Sequence, residues 1–212
     1  DGSLAGTIGF RQTGNALAEI AEFDNITVTS LDGETTFFED AFNGGLGKWR
    51  AEGRPMESGA AAADIPRGNF EACEGFGTVR SKADMLANLK RGAEQVADAR
   101  GAGRFTGEEP DFRPGVPSGH IPGSRNLPFG KVMNEDGTFR DEAGIRAAFA
   151  AAGIDLDRPV AATCGGGVTA AVLLFAMDRL GKQDVSLYDG SWSEWAMDPD
   201  VPKATGEPES AA

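Results

Sequence analysis

Cys164 opens the run Cys164-Gly165-Gly166-Gly167-Val168-Thr169, directly after the apolar stretch Pro159-Val160-Ala161-Ala162-Thr163. From Val168 an apolar helical pattern continues to Leu180. A thiol at the carboxyl end of a strand, followed by three glycines and a helix start, suits an anion-cradling nucleophile. The glycines let the backbone curl until successive N–H groups point inward, and the helix start adds partial positive charge. In that field the thiolate is favoured, so the thiol pKa falls from ~8.5 toward neutrality. The plainer reading, a buried cysteine beside a glycine-rich turn, fits the cysteine alone better than the cysteine with this loop and helix. A sulfur that stayed protonated in alkaline solution, or was sealed from solvent, would return the residue to that plainer reading.

Charge can gather near this loop. Arg100, Arg104, Arg113 and Arg125 stand in one short segment before it, although the 212-residue chain has a net charge of −13. Such an acidic chain excludes a nucleic-acid surface, which needs clustered cations, and leaves room for a small anionic substrate. Cys73 and Cys164 are the two cysteines and His120 the one histidine. That is too few ligands for a Cys/His zinc site, so no metal is expected. A disulfide between the cysteines would silence Cys164, so free thiols and a reducing, cytoplasmic setting are expected, with Cys73 incidental. No apolar run reaches membrane-spanning length, since the best candidate is broken by Asp178 and Arg179. The chain starts at Asp1 with no Met and no signal-like apolar core, which reads as a processed end or a fragment.

The elements that must position the thiol can be read from periodicity and punctuation. Residues 1–42 hold short β-rich runs, Gly6-Thr7-Ile8-Gly9-Phe10, residues 23–29 and Thr35-Thr36-Phe37-Phe38, with Asp32-Gly33 as a hairpin-type turn. They look like a weakly marked remnant of a jelly-roll module, as found on carbohydrate-active enzymes. Paired catalytic carboxylates are not definable there; Asp24, Glu39 and Asp40 read as solvated charges. Residues 43–80, rich in Gly, Ala and Pro, read as an extended linker. From Ser81 the pattern is regular. Ser81 caps a helix through Met85, Leu86 and Leu89 to Gly92. Residues 95–99 form a buried strand, and after a Gly- and Pro-rich loop residues 125–128 form a second. A helix over 141–152 ends at Gly153, and a strand over 159–163 leads into the 168–180 helix, capped by Thr169. A strand over 184–188 precedes a helix from Ser191 into Trp195, whose Trp192 and Trp195 are core residues. Strands alternating with helices give an α/β fold: a central parallel sheet flanked by helices, with binding at the carboxyl ends of the strands.

Five segments carry a family resemblance. They are Ala97-Asp98-Ala99-Arg100; Gly103-Arg104-Phe105; Gly119-His120-Ile121-Pro122-Gly123-Ser124-Arg125-Asn126; the cysteine loop; and Tyr188-Asp189-Gly190-Ser191-Trp192-Ser193-Glu194-Trp195. In this order they resemble the catalytic, carboxyl-terminal rhodanese domain of the 3-mercaptopyruvate and thiosulfate sulfurtransferases, over about residues 69–205. Gly44-Gly45-Leu46-Gly47-Lys48-Trp49-Arg50 through Glu57-Ser58-Gly59 is similar to the tail of the inactive amino-terminal rhodanese domain of the same enzymes. The implied organisation is a β-rich remnant (1–42), a linker (43–80), the catalytic rhodanese domain (81–205) and a disordered tail (206–212).

The resemblance implies that Cys164 takes a sulfane sulfur as a persulfide and passes it to cyanide or a thiol, a thioredoxin-like reductant included, with no metal or organic cofactor. Arg104 and Arg113 match two arginines that grip the carboxylate and ketone of mercaptopyruvate. Gly165, Gly166, Gly167, Val168 and Thr169 form the cradle, while Asp98 and His120 support it, Asp98 by ordering Arg100 or loop amides and His120 as a structural hydrogen-bonder. Thiosulfate enzymes carry cations just after the nucleophile, where this chain has Gly165 and Gly166, so mercaptopyruvate is the expected donor. Gly166 also departs from the family's usual serine, which raises the alternative of a catalytically weak module that carries persulfide or binds proteins. A cysteine-dependent phosphatase is disfavoured because the closing arginine such a loop needs is replaced by Val168, Thr169, Ala170 and Ala171.

Overall fold

The computed structural model describes residues 26–29, 36–40, 45–54, 56 and 77–207. Strands β1 (Ile26–Thr29) and β2 (Thr36–Asp40) pair antiparallel, Ile26 opposite Asp40, with an irregularity between Val28 and Thr29. The expected strand at residues 6–10, the Asp32-Gly33 turn, Cys73 and Glu57-Ser58-Gly59 lie outside the described residues. Helix α1 (Gly45–Ala51) stands where a linker without secondary structure was expected. At seven residues it is too short to show a sequence period. Side chains flank it locally: Lys48 pairs with Glu52 at 3.3 Å, and Arg54 lies 5.0 Å over the Trp49 ring.

The main body is a five-stranded parallel sheet that begins just ahead of Ser81. Strand β3 (Thr78–Val79) is followed by helix α2 (Lys82–Arg91), strand β4 (Gln95–Asp98) and helix α3 (Ala102–Thr106). Strand β5 (Arg125–Asn126) leads through a 3₁₀ turn at Phe129–Val132 to helix α4 (Glu142–Ala151). Strand β6 (Val160–Thr163), helix α5 (Val168–Asp178), strand β7 (Val185–Leu187) and helix α6 (Ser191–Met197) complete it. The sheet order is β3-β7-β6-β4-β5, with Ala97 opposite both Ala162 and Arg125. Ser81 and Asp84 form a reciprocal capping box on α2, and Gly92 closes it in the left-handed region. The Gly/Pro-rich stretch after β4, expected to be loop, contains α3: a five-residue helix is below the length at which pattern speaks.

Alternation along the strands sends side chains to both faces of the sheet, and both faces are covered. Ala97, Val160, Ala162, Val185 and Leu187 pack with Ile145 and Phe149 of α4 and with Leu173, Leu174 and Met177 of α5. Val96 and Ala161 point the other way, onto Met85 of α2, Ile121, Tyr188, and Trp192 and Trp195 of α6. Both tryptophans are buried as expected, and each indole N–H finds a carbonyl, Pro117 O at 2.7 Å and Pro202 O at 2.8 Å. The tail begins in order: Gly206 N donates to Thr106 O at 2.7 Å, and the bridge between His120 and Ala204 holds the strand before it. Residues 208–212 lie outside the described set. No helix among the described residues is long and apolar enough to cross a membrane.

Candidate functional site

β6 carries the chain to the carboxyl edge of the sheet, where Thr163 O takes the amide of Ala99 (2.9 Å) and Cys164 leaves the ladder. The turn into α5 needs Gly167, whose φ of 84° lies in a region that side chains rarely adopt. No side chain caps α5. Thr169, expected as the cap, lies beyond the first helical residue, and its hydroxyl is instead among the groups that favour the thiolate. Burial pushes the Cys164 thiol up, but that hydroxyl and the amides of Gly166, Ala170 and Thr169 outweigh it and hold the thiol below its ordinary range.

Cys164 is only 2% exposed, so its own surface does not offer the solvent access that the sequence reading required of a nucleophile. What lies against its loop is a side chain from another element. The Arg113 guanidinium rests on Gly165, where an added Cβ would meet Nη1 at 2.7 Å and Nη2 at 2.9 Å, and Nη2 is 3.3 Å from the same point on Gly166. Gly165 therefore makes room for a cation from another element. A pH titration follows from this geometry. Alkylation of Cys164 by neutral iodoacetamide should rise with pH to a plateau, with its midpoint below the ~8.5 of a free thiol. The sign is that of a stabilised anion: the folded pKa is depressed, so the thiolate's contribution to stability is full above the unfolded pKa and is lost as pH falls through the folded one. A midpoint above 8.5 (about that of a free thiol) would remove the electrostatic basis of the site.

Of the four clustered arginines, the structure brings Arg113 against the loop and Arg104 to the same phenylalanine as Arg113. Arg113 lies 4.4 Å over the ring of Phe112, and Arg104, on α3, lies 5.4 Å from the same ring. Phe112 is itself exposed, and its ring has both cations within cation–π distance. Asp111 Oδ1 steadies Arg113 by accepting from its backbone N at 3.0 Å and its Nη1 at 3.2 Å. Arg100 and Arg125 do not join them. Arg100 is buried in a fork with Asp98, Nη2 to Oδ2 at 2.6 Å, and also donates to Gly119 O at 2.7 Å. Arg125 lies beside Gly153 at the end of α4.

Asp98 sits on β4 opposite Thr163, one residue from the thiol, and its carboxylate is committed to the side chain and backbone N of Arg100. His120 is buried, stacked at 3.8 Å on Phe105, and Nδ1 bonds Phe105 O at 2.9 Å. It thus holds α3, and with it Arg104. Two residues at the site went unremarked in the sequence beyond their place in a motif: Ser191 and Ser193. Their hydroxyls bond Cys164 N, Gly167 N and Gly165 O. A polar pair flanking a core tryptophan right after a strand was the available signal. Among the described residues, no group of three or more His, Cys, Asp or Glu is placed to hold a metal ion.

A family model described as a rhodanese-like domain matches residues 81–198. The chain is 38% identical over 155 residues to a 3-mercaptopyruvate sulfurtransferase of Mus musculus, covering 73% of this chain and 52% of that protein. It is 39% identical over 154 residues to a thiosulfate sulfurtransferase of Cricetulus griseus, covering 72% and 51%. The crystal structure of SseA from Escherichia coli, described with the rhodanese fold of the 3-mercaptopyruvate enzymes, superposes with a TM-score of 0.58 at 36% identity, covering 71% of this chain and 55% of that one. The chain spans about half the length of the curated relatives it matches.

Proposed function

The chain belongs to the rhodanese-like domain family, and from that premise we propose that it is a sulfurtransferase using 3-mercaptopyruvate ahead of thiosulfate. The observation that carries the reading is the setting of Cys164: a thiol at the carboxyl end of β6, in a glycine loop whose backbone Ser191 and Ser193 hold and against which the Arg113 guanidinium rests. The Cys164 thiolate attacks the donor's sulfur, an S–S bond forms as the C–S bond breaks, and the carbon fragment leaves as an enolate that takes a proton to become pyruvate. An acceptor thiolate or cyanide then attacks the outer sulfur and returns the thiolate. The amides that hold the thiolate suit a terminal persulfide anion equally, so no cofactor is required. A thioredoxin-like reductant fits as acceptor, and a reducing compartment such as the cytoplasm as setting.

Arg113 and Arg104 supply the donor's carboxylate and ketone contacts. Planar forks bind carboxylates through paired charge-assisted bonds, and the uncharged Gly165 and Gly166 leave that task to them. Arg104→Ala should mainly weaken mercaptopyruvate use, lowering kcat/KM by on the order of 10- to 150-fold, which corresponds to about 1.5–3 kcal/mol for a lost charged hydrogen bond. Unchanged mercaptopyruvate kinetics would remove Arg104 from the clamp. Sulfur release from mercaptopyruvate and thiosulfate, measured side by side, tests the whole reading. Faster release from mercaptopyruvate supports it, and faster release from thiosulfate reverses the donor assignment.

Gly166 and the low exposure of Cys164 favour one second reading, a persulfide carrier or protein-interaction module. A carrier accepts a sulfur from a persulfide donor yet releases none from mercaptopyruvate. A pure interaction module gains no sulfur at all.

A further inference from the structure

Ser191 is fully buried, and with a φ of 53° it is the one non-glycine residue of positive φ among the described residues. Glycine would take this conformation freely, so a side chain here needs a reason. The hydroxyl provides one, for it is saturated. A serine oxygen has one proton to give and two lone pairs to receive. Oγ donates to Tyr188 O at 2.8 Å and accepts from Cys164 N at 3.2 Å and Gly167 N at 3.0 Å. It also stands 4.0 Å from Cys164 Sγ. The next two residues take the carbonyls of the same loop: Trp192 N donates to Cys164 O at 3.0 Å, and Ser193 gives both its N–H, at 3.1 Å, and its hydroxyl to Gly165 O. The first turn of α6 therefore binds four backbone groups of the cysteine loop.

We propose that Ser191 is a positioning residue: its hydroxyl pins the amides of Cys164 and Gly167, at the two ends of the glycine run, so that the amide between them at Gly166 and those of the α5 start converge on the sulfur. The inference concerns how the loop is built, and it rests on the sulfur-transfer reading only for its effect on turnover. The other charges about the loop, Arg113 beside Gly165 and the Asp98–Arg100 pair at the end of β4, belong to different elements and are left in place when Ser191 is changed.

The test compares Ser191→Ala, which removes the hydroxyl and keeps the backbone strain, with Ser191→Gly, which removes both. The readout is the pH profile of iodoacetamide alkylation at Cys164 beside a thermal melt. Both variants should raise the alkylation midpoint by about one pH unit, leaving roughly tenfold less thiolate at neutral pH. Ser191→Gly should melt no lower than Ser191→Ala. In turnover, kcat should fall about tenfold in step with the thiolate fraction, with KM for mercaptopyruvate unchanged. A folded Ser191→Gly protein with an unmoved midpoint overturns the proposal, because a purely structural serine would move only the melt. Should neither variant fold, the proposal is overturned as well, since a hydroxyl that only aims the loop's amides leaves the fold standing without it. Absence of sulfur transfer in the unaltered protein would defeat the functional reading alone, since the alkylation profile needs no turnover.

Discussion

Exposed to 3-mercaptopyruvate, the unaltered protein should gain the mass of one sulfur (~32 Da), and Cys164→Ser should gain nothing while its transfer rate falls by several orders of magnitude. The substitution exchanges sulfur for oxygen against the same Thr169 hydroxyl and loop amides. Those donors lower the pKa of a thiol, whereas a hydroxyl starts far too high for the same donors to ionise it. A similar melt for the two proteins would show that the cradle survives and that only the nucleophile has been lost. Cys73 remains in the variant, so peptide mapping decides the case. A sulfur adduct mapped to Cys73, or one retained without Cys164, would mean that the loop is not where the sulfur is taken up.

A comparably large effect on stability is expected at the pair beneath the site. In Asp98→Ala the Arg100 guanidinium loses the carboxylate it meets at 2.6 Å while both side chains are only 1% exposed. An uncompensated charge left in such a place costs about 3–5 kcal/mol. For a chain of this size that corresponds to a melting temperature lower by roughly 6–20 °C. The Trp192 ring 4.9 Å from the guanidinium and the bond to Gly119 O offer partial relief but no counter-charge. Replacing both members by apolar residues, as in Asp98→Leu with Arg100→Met, should recover much of the loss, because the expense lies in the orphaned charge rather than in the missing bond. A single Asp98→Ala variant melting within about 2 °C of the parent would show that water already reaches the pair.

The elements most legible in the sequence were those whose signals are local. Ser81 and Gly92 bracket α2 because a capping hydroxyl and a left-handed glycine act within one turn of backbone. Asp141 caps α4 through its carboxylate to Gly144 N at 2.8 Å, a contact that spans three residues. β4, β6 and β7 were legible as short, largely apolar runs for the same reason: in a parallel sheet covered on both faces all their residues but Gln95 are buried. What failed was short or compositionally disguised. α1 and α3, of seven and five residues in Gly-rich surroundings, complete too few turns to reveal a period. Thr169 was expected to cap α5 on position and residue type, but it is the second residue of the helix and no side chain caps that helix.

The sequence by itself determined the parts on which the proposed chemistry rests: one thiol at a strand end, a glycine loop, a helix behind it, and two arginines upstream. These follow from residue type and short-range geometry, which the chain states in order. Only the tertiary structure decided the strand order β3-β7-β6-β4-β5, that Arg113 of the four clustered arginines lies against the loop, and that Ser191, 27 positions beyond the cysteine, holds the loop's amides. Each of those is a contact between residues far apart in the chain. Such contacts are settled by which faces the packed helices leave open and which buried groups must find a partner, conditions that arise only once the sheet has closed around them.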